Sequence, residues 1–112
     1  MLSVGVDIIE IPRIRESVRK FGSSFLTRVF TQAELDFCLK KSEPASSLAG
    51  RFAAKEAFRK AYGSPLRWKD VEIVREESRP PRIIFMGRRH AAAVSISHSR
   101  GYAIATVIIE DK

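Results

Sequence analysis

The sequence has few of the features that most quickly place a protein. No apolar run approaches the roughly 20 residues needed to cross a bilayer. The N-terminus, MLSVGVDIIE, lacks the basic start of a secretory signal and carries Asp7 inside its apolar stretch. There is a single cysteine, Cys38, which excludes an internal disulfide and fits a reducing compartment. Two histidines and one cysteine at unrelated spacings make no zinc motif. Neither a P-loop nor a Gly-x-Gly-x-x-Gly run is present, which disfavours the common nucleotide-binding folds. Together these absences favour a cytoplasmic location and exclude a membrane-spanning helix, a disulfide scaffold and a zinc module.

What is present describes one ordinary domain covering residues 1–112. The composition is 45% hydrophobic and 29% charged, enough apolar material for a core and too much for disorder. A chain this short buries a modest core, so self-association would be a natural supplement. Twenty Lys and Arg against thirteen Asp and Glu leave a formal charge of +7. That excess predicts an anionic partner, whether nucleic acid, a phosphorylated cofactor or an acidic protein.

Along the chain, Ser3 to Glu10 reads as a strand rich in Val and Ile. Pro12 suits the first turn of a helix in which Ile14, Val18 and Phe21 recur at i, i+4 and i+7, with Gly22 as its stop. The opposite face carries Arg13, Arg15, Arg19 and Lys20, either a solvated surface or a place for an acidic partner. Thr31 and Glu34 have capping-box spacing and open a second helix that ends near Lys40 and Lys41. Ser42 to Ser47 reads as a turn, with Pro44 interrupting any helix. A third helix runs from a Ser46 or Ser47 cap to Gly63, with Leu48, Phe52, Ala53, Ala57 and Ala61 forming its apolar stripe. Beyond Gly63 the period changes to two. Val71 to Glu76 and Arg82 to Met86 read as strands, and Ala93 to His98 and Tyr102 to Ile109 as a hairpin around Ser99-Arg100-Gly101. The order β, three helices, then β-rich predicts an α+β domain: a small antiparallel sheet packed with helices.

Two acids stand out. Asp7 lies among Val4, Val6, Ile8 and Ile9, where a carboxylate without a partner is costly to desolvate. Gly5, two residues earlier, leaves room for another backbone. Glu56 is surrounded in sequence by Arg51, Lys55, Arg59 and Lys60. Taken singly, each acid has an ordinary alternative: a strand end or helix start for Asp7, a surface ion pair with Lys60 for Glu56. Taken together they suit Mg²⁺, which is commonly held by one or two carboxylates plus substrate phosphates and water. His98 ends a strand whose Ser95, Ser97 and Ser99 hydroxyls alternate with Val94 and Ile96. With no acid nearby in sequence to orient it as a base, contact with phosphate is its better functional reading. His90 is expected to be exposed.

Three segments resemble one family. Val4-Gly5-Val6-Asp7 followed by Glu10 and Arg13-Ile14, then Gly50-Arg51-Phe52-Ala53-Ala54-Lys55-Glu56-Ala57-Phe58-Arg59-Lys60-Ala61, then Val94-Ser95-Ile96-Ser97-His98-Ser99 are similar, in order and spacing, to the motifs of bacterial holo-[acyl-carrier-protein] synthases. These are 4′-phosphopantetheinyl transferases of the short, trimeric type. The resemblance implies that family's α+β fold and the transfer of 4′-phosphopantetheine from coenzyme A to a serine of apo-acyl carrier protein, releasing 3′,5′-ADP in support of fatty acid biosynthesis. It implies Mg²⁺ on Asp7 and Glu56, with Lys60 beside the reacting phosphates as the third catalytic residue. Cofactor contacts would fall to Arg51, Phe52, Lys60, Pro81 and His98, and carrier-protein contacts to Arg13 and Arg19. Because the family's sites lie between protomers of a homotrimer, His98 would serve a neighbour's Mg²⁺ site. The acceptor of the serine proton is left open between a water at the cation and Glu56 acting through one. The chain departs from the pattern at Ser42-Glu43-Pro44, where relatives place basic residues, and at Ser78-Arg79-Pro80-Pro81, which replaces an Asn-Gly-Lys-Pro turn. Cofactor contacts at 40–47 and 78–81 are left open, with Lys40 and Lys41 as possible substitutes. The rival reading, a basic nucleic-acid-binding domain, has the charge but lacks aromatics interleaved with bases on its strands.

Overall fold

The computed structural model describes residues 1–76 and 78–110. A long first strand, β1 (Leu2–Glu10), runs directly into α1 (Ile11–Phe21), with Pro12 in the first helical turn. Then follow α2 (Ser23–Val29), α3 (Gln32–Cys38), α4 (Pro44–Tyr62) and a 3₁₀ turn at Trp68–Asp70. Five strands complete the chain: β2 (Val71–Val74), β3 (Arg82–Phe85), β4 (Arg88–His90), β5 (Ala93–His98) and β6 (Tyr102–Glu110). They form not one sheet but two antiparallel three-stranded sheets, ordered β1-β6-β5 and β2-β3-β4.

The expected β-helices-β order holds, with four departures. Ser23–Val29 is an additional helix whose N-cap, Gly22, offers no side-chain acceptor, so it carries no sequence signal of its own start. Pro44 does not interrupt a helix but begins α4, its missing N–H falling where no intrahelical partner exists. β4 is also additional. It pairs with β3 through a two-residue turn, Met86-Gly87, in which both residues have positive φ, and Met at the first position hides the usual Asn-Gly signature. Finally, Phe21 is not part of the apolar stripe of α1: Ile14 is buried and Val18 half-buried, but Phe21 is exposed.

The central element is α4, which contacts β1 and β6 on one side and β2 and α3 on the other. Its burial therefore exceeds the single stripe expected, taking in Leu48, Ala49, Ala53, Ala54, Ala57, Phe58 and Ala61, while Phe52 is only half-buried. Opposite these small side chains lie Ala103, Ala105, Val107 and Ile109 of β6, all buried. Small residues on both surfaces bring helix and sheet close together. The closest approach is at Gly5, where an added Cβ would lie only 1.8 Å from the Ala57 carbonyl oxygen.

A buried ion pair fixes the other side of α4. Lys55 and Glu34 are almost wholly excluded from solvent, with Nζ and Oε1 2.8 Å apart. Nζ also donates to the Trp68 carbonyl at 3.0 Å and to that of Val71. Glu34 accepts from the Thr31 backbone N–H at 2.8 Å, which completes the expected capping box, and from Ile73 N–H at 2.8 Å. Every charged atom of the pair thus has partners, the condition under which a buried pair is tolerated. Burial pushes the Lys55 ammonium below its ordinary pKa, and Glu34 opposes that shift.

Candidate active site

Asp7 is placed by the alternation of β1. Its side chain shares the inner sheet face with Ser3, Gly5 and Ile9, against α4, whereas Leu2, Val4, Val6 and Ile8 point outward and are exposed. The missing side chain of Gly5 lets α4 lie on the strand, and this brings the Asp7 carboxylate to the last turns of that helix. Lys60 meets it there: Nζ lies 3.0 Å from Asp7 Oδ1 and donates at 3.0 Å to the Val6 carbonyl. The pairing of Glu56 with Lys60 expected from i, i+4 spacing is therefore replaced by a contact between distant parts of the chain.

Glu56 lies one turn before Lys60 and shares with it a cleft lined by Arg59, Gly63, Ser64, Pro65 and Leu66. Of the four cations flanking it in sequence, Arg59 is the one recorded beside it, with Nη1 at 3.5 Å from Oε1. Lys55 has turned away to Glu34. The Arg59 contact is an ion pair and not a hydrogen bond, and Glu56 Oε1 is buried without a hydrogen-bond partner among the described residues. A buried anionic oxygen with no donor is costly unless something else satisfies it. Among the described residues no group of three or more His, Cys, Asp or Glu is placed to hold a metal. Two carboxylates are nevertheless what a hard cation uses when substrate phosphates complete its shell, and the orphaned Glu56 oxygen fits that role.

A second cleft lies near the other end of α4, lined by Phe37, Lys41, Ser46, Ser47, Arg51, Arg75 and His98, among others. His98 reaches across Gly50, where a Cβ would stand 2.9 Å from its Nε2, and that nitrogen lies 3.0 Å from the Ser46 carbonyl oxygen. Arg51 is buried, and burial pulls its pKa down. Its guanidinium stacks 4.3 Å from the centre of the Phe37 ring, and Nη1 donates to Ser47 Oγ at 3.1 Å. Nε and Nη2 are buried without partners among the described residues. Lys41, but not Lys40, lines this cleft, beside the segment where the family pattern is departed from.

The structure thus gathers Asp7, Glu56 and Lys60 at one end of α4, and Arg51 and His98 at the other. Ser46 and Glu56 are about 15 Å apart at the helical rise, so His98 does not meet the carboxylates within one chain. Phe52 packs on Trp68, ring centres 4.8 Å apart, and Pro81 precedes β3; neither lines either cleft. On α1, Arg19 is hydrogen-bonded to Glu16 and Arg15 to Glu43. Arg13 lines a shallow groove with Pro12, Glu16, Ser17, Lys20 and the exposed Phe21. Periodicity had assigned Phe21 to the core, so its place on this basic face was missed. His90, expected on the surface, is half-buried edge-on against Phe58 and Phe85.

This arrangement has close relatives. The family model for the 4′-phosphopantetheinyl transferase superfamily matches residues 3–107. The chain belongs to the 4′-phosphopantetheinyl transferase superfamily. It is 45% identical over 121 residues to a holo-[acyl-carrier-protein] synthase of Chlamydia trachomatis, covering 98% of this chain and 100% of that one. It is 40% identical over 124 residues to the Koribacter versatilis protein of the same name, covering 99% of each. Among solved structures, the holo-(acyl-carrier-protein) synthase of Bacillus anthracis in complex with coenzyme A (3′,5′-ADP) superposes with a TM-score of 0.81 at 33% identity, covering 95% of this chain and 93% of that one. The superfamily's α+β architecture, with helices packed on antiparallel strands, is the architecture described above. No helix among the described residues is long and apolar enough to cross a membrane.

Proposed function

We propose that this chain is a Mg²⁺-dependent holo-[acyl-carrier-protein] synthase, moving 4′-phosphopantetheine from coenzyme A to a serine of apo-acyl carrier protein. The observation that carries the chemistry is the Glu56 carboxylate, whose buried Oε1 has no hydrogen-bond partner among the described residues, one helical turn from the Lys60 ammonium that already meets Asp7. The names of the relatives supply the substrates.

The reaction joins the serine Oγ to the phosphorus bearing pantetheine and breaks that phosphorus's bond to the bridging oxygen. The bonding electrons leave with 3′,5′-ADP, and the hydroxyl proton passes to a base. Mg²⁺ held by Asp7 and Glu56 would supply charge neutralisation on the pyrophosphate. Lys60 offers donors to the phosphoryl group as charge moves across it, stabilisation that is strongest in a site preorganised before reaction. Arg51, with two buried donors lacking a hydrogen-bond partner among the described residues and His98 and Lys41 in the same cleft, suits another phosphate of coenzyme A. Phe52 and Pro81 are the less supported cofactor contacts, since they line neither cleft.

Because the two clefts stand at opposite ends of α4, we assign one cofactor to two protomers. The Asp7–Glu56–Lys60 end of one would face the Arg51–His98 end of its neighbour. The outer face of the β1-β6-β5 sheet supports such an assembly, with Leu2, Val4, Val6 and Ile8 exposed beside Ile104 and Ile108. An apolar sheet face of this extent is typical of a protein–protein contact. A homotrimer of 112-residue catalytic domains, working in the cytoplasm in fatty acid biosynthesis, is the full form of this reading. Carrier docking falls to α1, where Arg13 and Lys20 line one groove with the exposed Phe21, a basic surface with an apolar anchor suited to an acidic partner, and Arg19 adds a cation on the same helix.

The test is turnover by Asp7→Asn and Glu56→Gln, followed by 3′,5′-ADP release. Both variants are expected to lose activity by about 100-fold or more, the scale seen when a residue stabilising the transition state is removed. Their thermal unfolding should stay close to that of the wild type. Near-normal turnover by either would remove that residue from the site.

A further inference from the structure

Asp7 is a carboxylate on the inner face of a sheet, with its side chain only 16% exposed, and a charge so placed calls for a counter-charge. Lys60 provides it. Its Nζ spends one proton on Asp7 Oδ1 and another on the Val6 carbonyl, each at 3.0 Å, while half of the side chain remains exposed. That geometry conflicts with cation binding. A divalent ion on Asp7 would sit beside an ammonium already 3.0 Å from the same oxygen, and like charges at such distances repel strongly in a partly desolvated site. The four-carbon stem of lysine is flexible, and its ammonium moves readily to another anion. A pyrophosphate arriving over Glu56 and Lys60, which line one cleft, is that anion.

We propose that Lys60 is the counter-ion of Asp7 and competes with a divalent cation for that carboxylate until coenzyme A draws its ammonium away. This inference rests on the assignment of Asp7 and Glu56 as cation ligands. Lys60 then has two successive roles: it holds Asp7 in place, and it contacts phosphate once coenzyme A binds. Cation and cofactor bind with positive coupling, each favouring the other to the same extent, as linkage requires.

The test uses Mn²⁺ as the probe, with free ion counted by electron paramagnetic resonance, on the full-length protein with and without coenzyme A. Wild type should bind Mn²⁺ weakly alone and more tightly with coenzyme A. Lys60→Gln should bind Mn²⁺ about 5-fold tighter or more in the absence of coenzyme A, because the competing charge is gone. In the same variant the enhancement by coenzyme A should shrink. Lys60→Arg, which keeps the charge, should bind like the wild type. Lys60 is half-exposed, so all three forms should fold alike, checked by thermal unfolding. If Lys60→Gln binds Mn²⁺ no better than wild type while Asp7→Asn has lost binding, the counter-ion role is wrong. Mn²⁺ binding by Asp7→Asn at wild-type strength would instead overturn the cation site, and this inference with it.

Discussion

At position 5 a hydrogen stands where any other residue would put a carbon, and the separation of β1 from α4 depends on it. The nearest atoms to a Cβ there are backbone: the Ala57 carbonyl at 1.8 Å and the Ala61 nitrogen at 2.9 Å. Backbone cannot swing aside as a side chain does. Gly5→Ala should therefore destabilise the protein by about 2–3 kcal/mol, the upper range for overpacking a tight core. It should also lower turnover, because the strand that carries Asp7 must move off the helix that carries Lys60. Urea denaturation measures the first effect and 3′,5′-ADP release the second. A Gly5→Ala protein with wild-type stability would mean that helix and strand are not in such close contact. Asp7 and Gly5 both drew notice in the sequence, one as an acid in an apolar run, the other as a gap in a strand. Their joint meaning did not. Local spacing sees partners three or four residues away, so it paired Lys60 with Glu56, whereas Lys60 pairs with a residue at the far end of the chain.

Among the elements, α4 connects everything else. Its alanine content and Gly63 stop were legible, though its start at Pro44 was not, and so were the capping box of α3 and the hairpin of β5 and β6, because each is signalled within a few residues. The short α2 and β4 were not, since a seven-residue helix with a glycine cap and a three-residue strand after Met86-Gly87 draw their stability from packing and not from propensity. Nor was the second buried side of α4, where two charged residues occupy the core. Glu34 and Lys55 look like surface residues in sequence, and only the fold brings them together. Removing one member leaves the other charged, buried and unpaired, so Lys55→Met or Glu34→Gln alone should each cost about 3–5 kcal/mol. The double variant Glu34→Gln/Lys55→Met should recover part of that loss, giving a non-additive cycle in chemical denaturation. Strict additivity would mean that the pair is not coupled.

For the whole molecule, the sequence conveyed the net charge and the fold class, and the family resemblance gave His98 to a neighbour's site, but the separation of His98 from the carboxylates along α4 was not legible. That separation is a matter of distance, and distance across a helix is invisible until the sheets are assembled around it. If the site is shared between protomers, Glu56→Gln and His98→Ala damage different halves of it. Each homotrimer should be poorly active, while subunits of the two unfolded and refolded together in equal amounts should regain about a quarter of wild-type sites, since random assembly around a closed ring leaves that fraction with both halves intact. No recovery in mixtures whose trimers are shown to have exchanged subunits would place all catalytic groups within one chain.

Transfer of phosphopantetheine by this chain is tested most directly by one measurement. An apo-acyl carrier protein is incubated with coenzyme A, Mg²⁺ and this protein, and its intact mass is recorded. The account predicts a gain of one phosphopantetheine on the carrier's serine, with an equal amount of 3′,5′-ADP released and no gain when Mg²⁺ is chelated. An unchanged carrier mass, across acidic carriers that an active relative modifies under the same conditions, would contradict it.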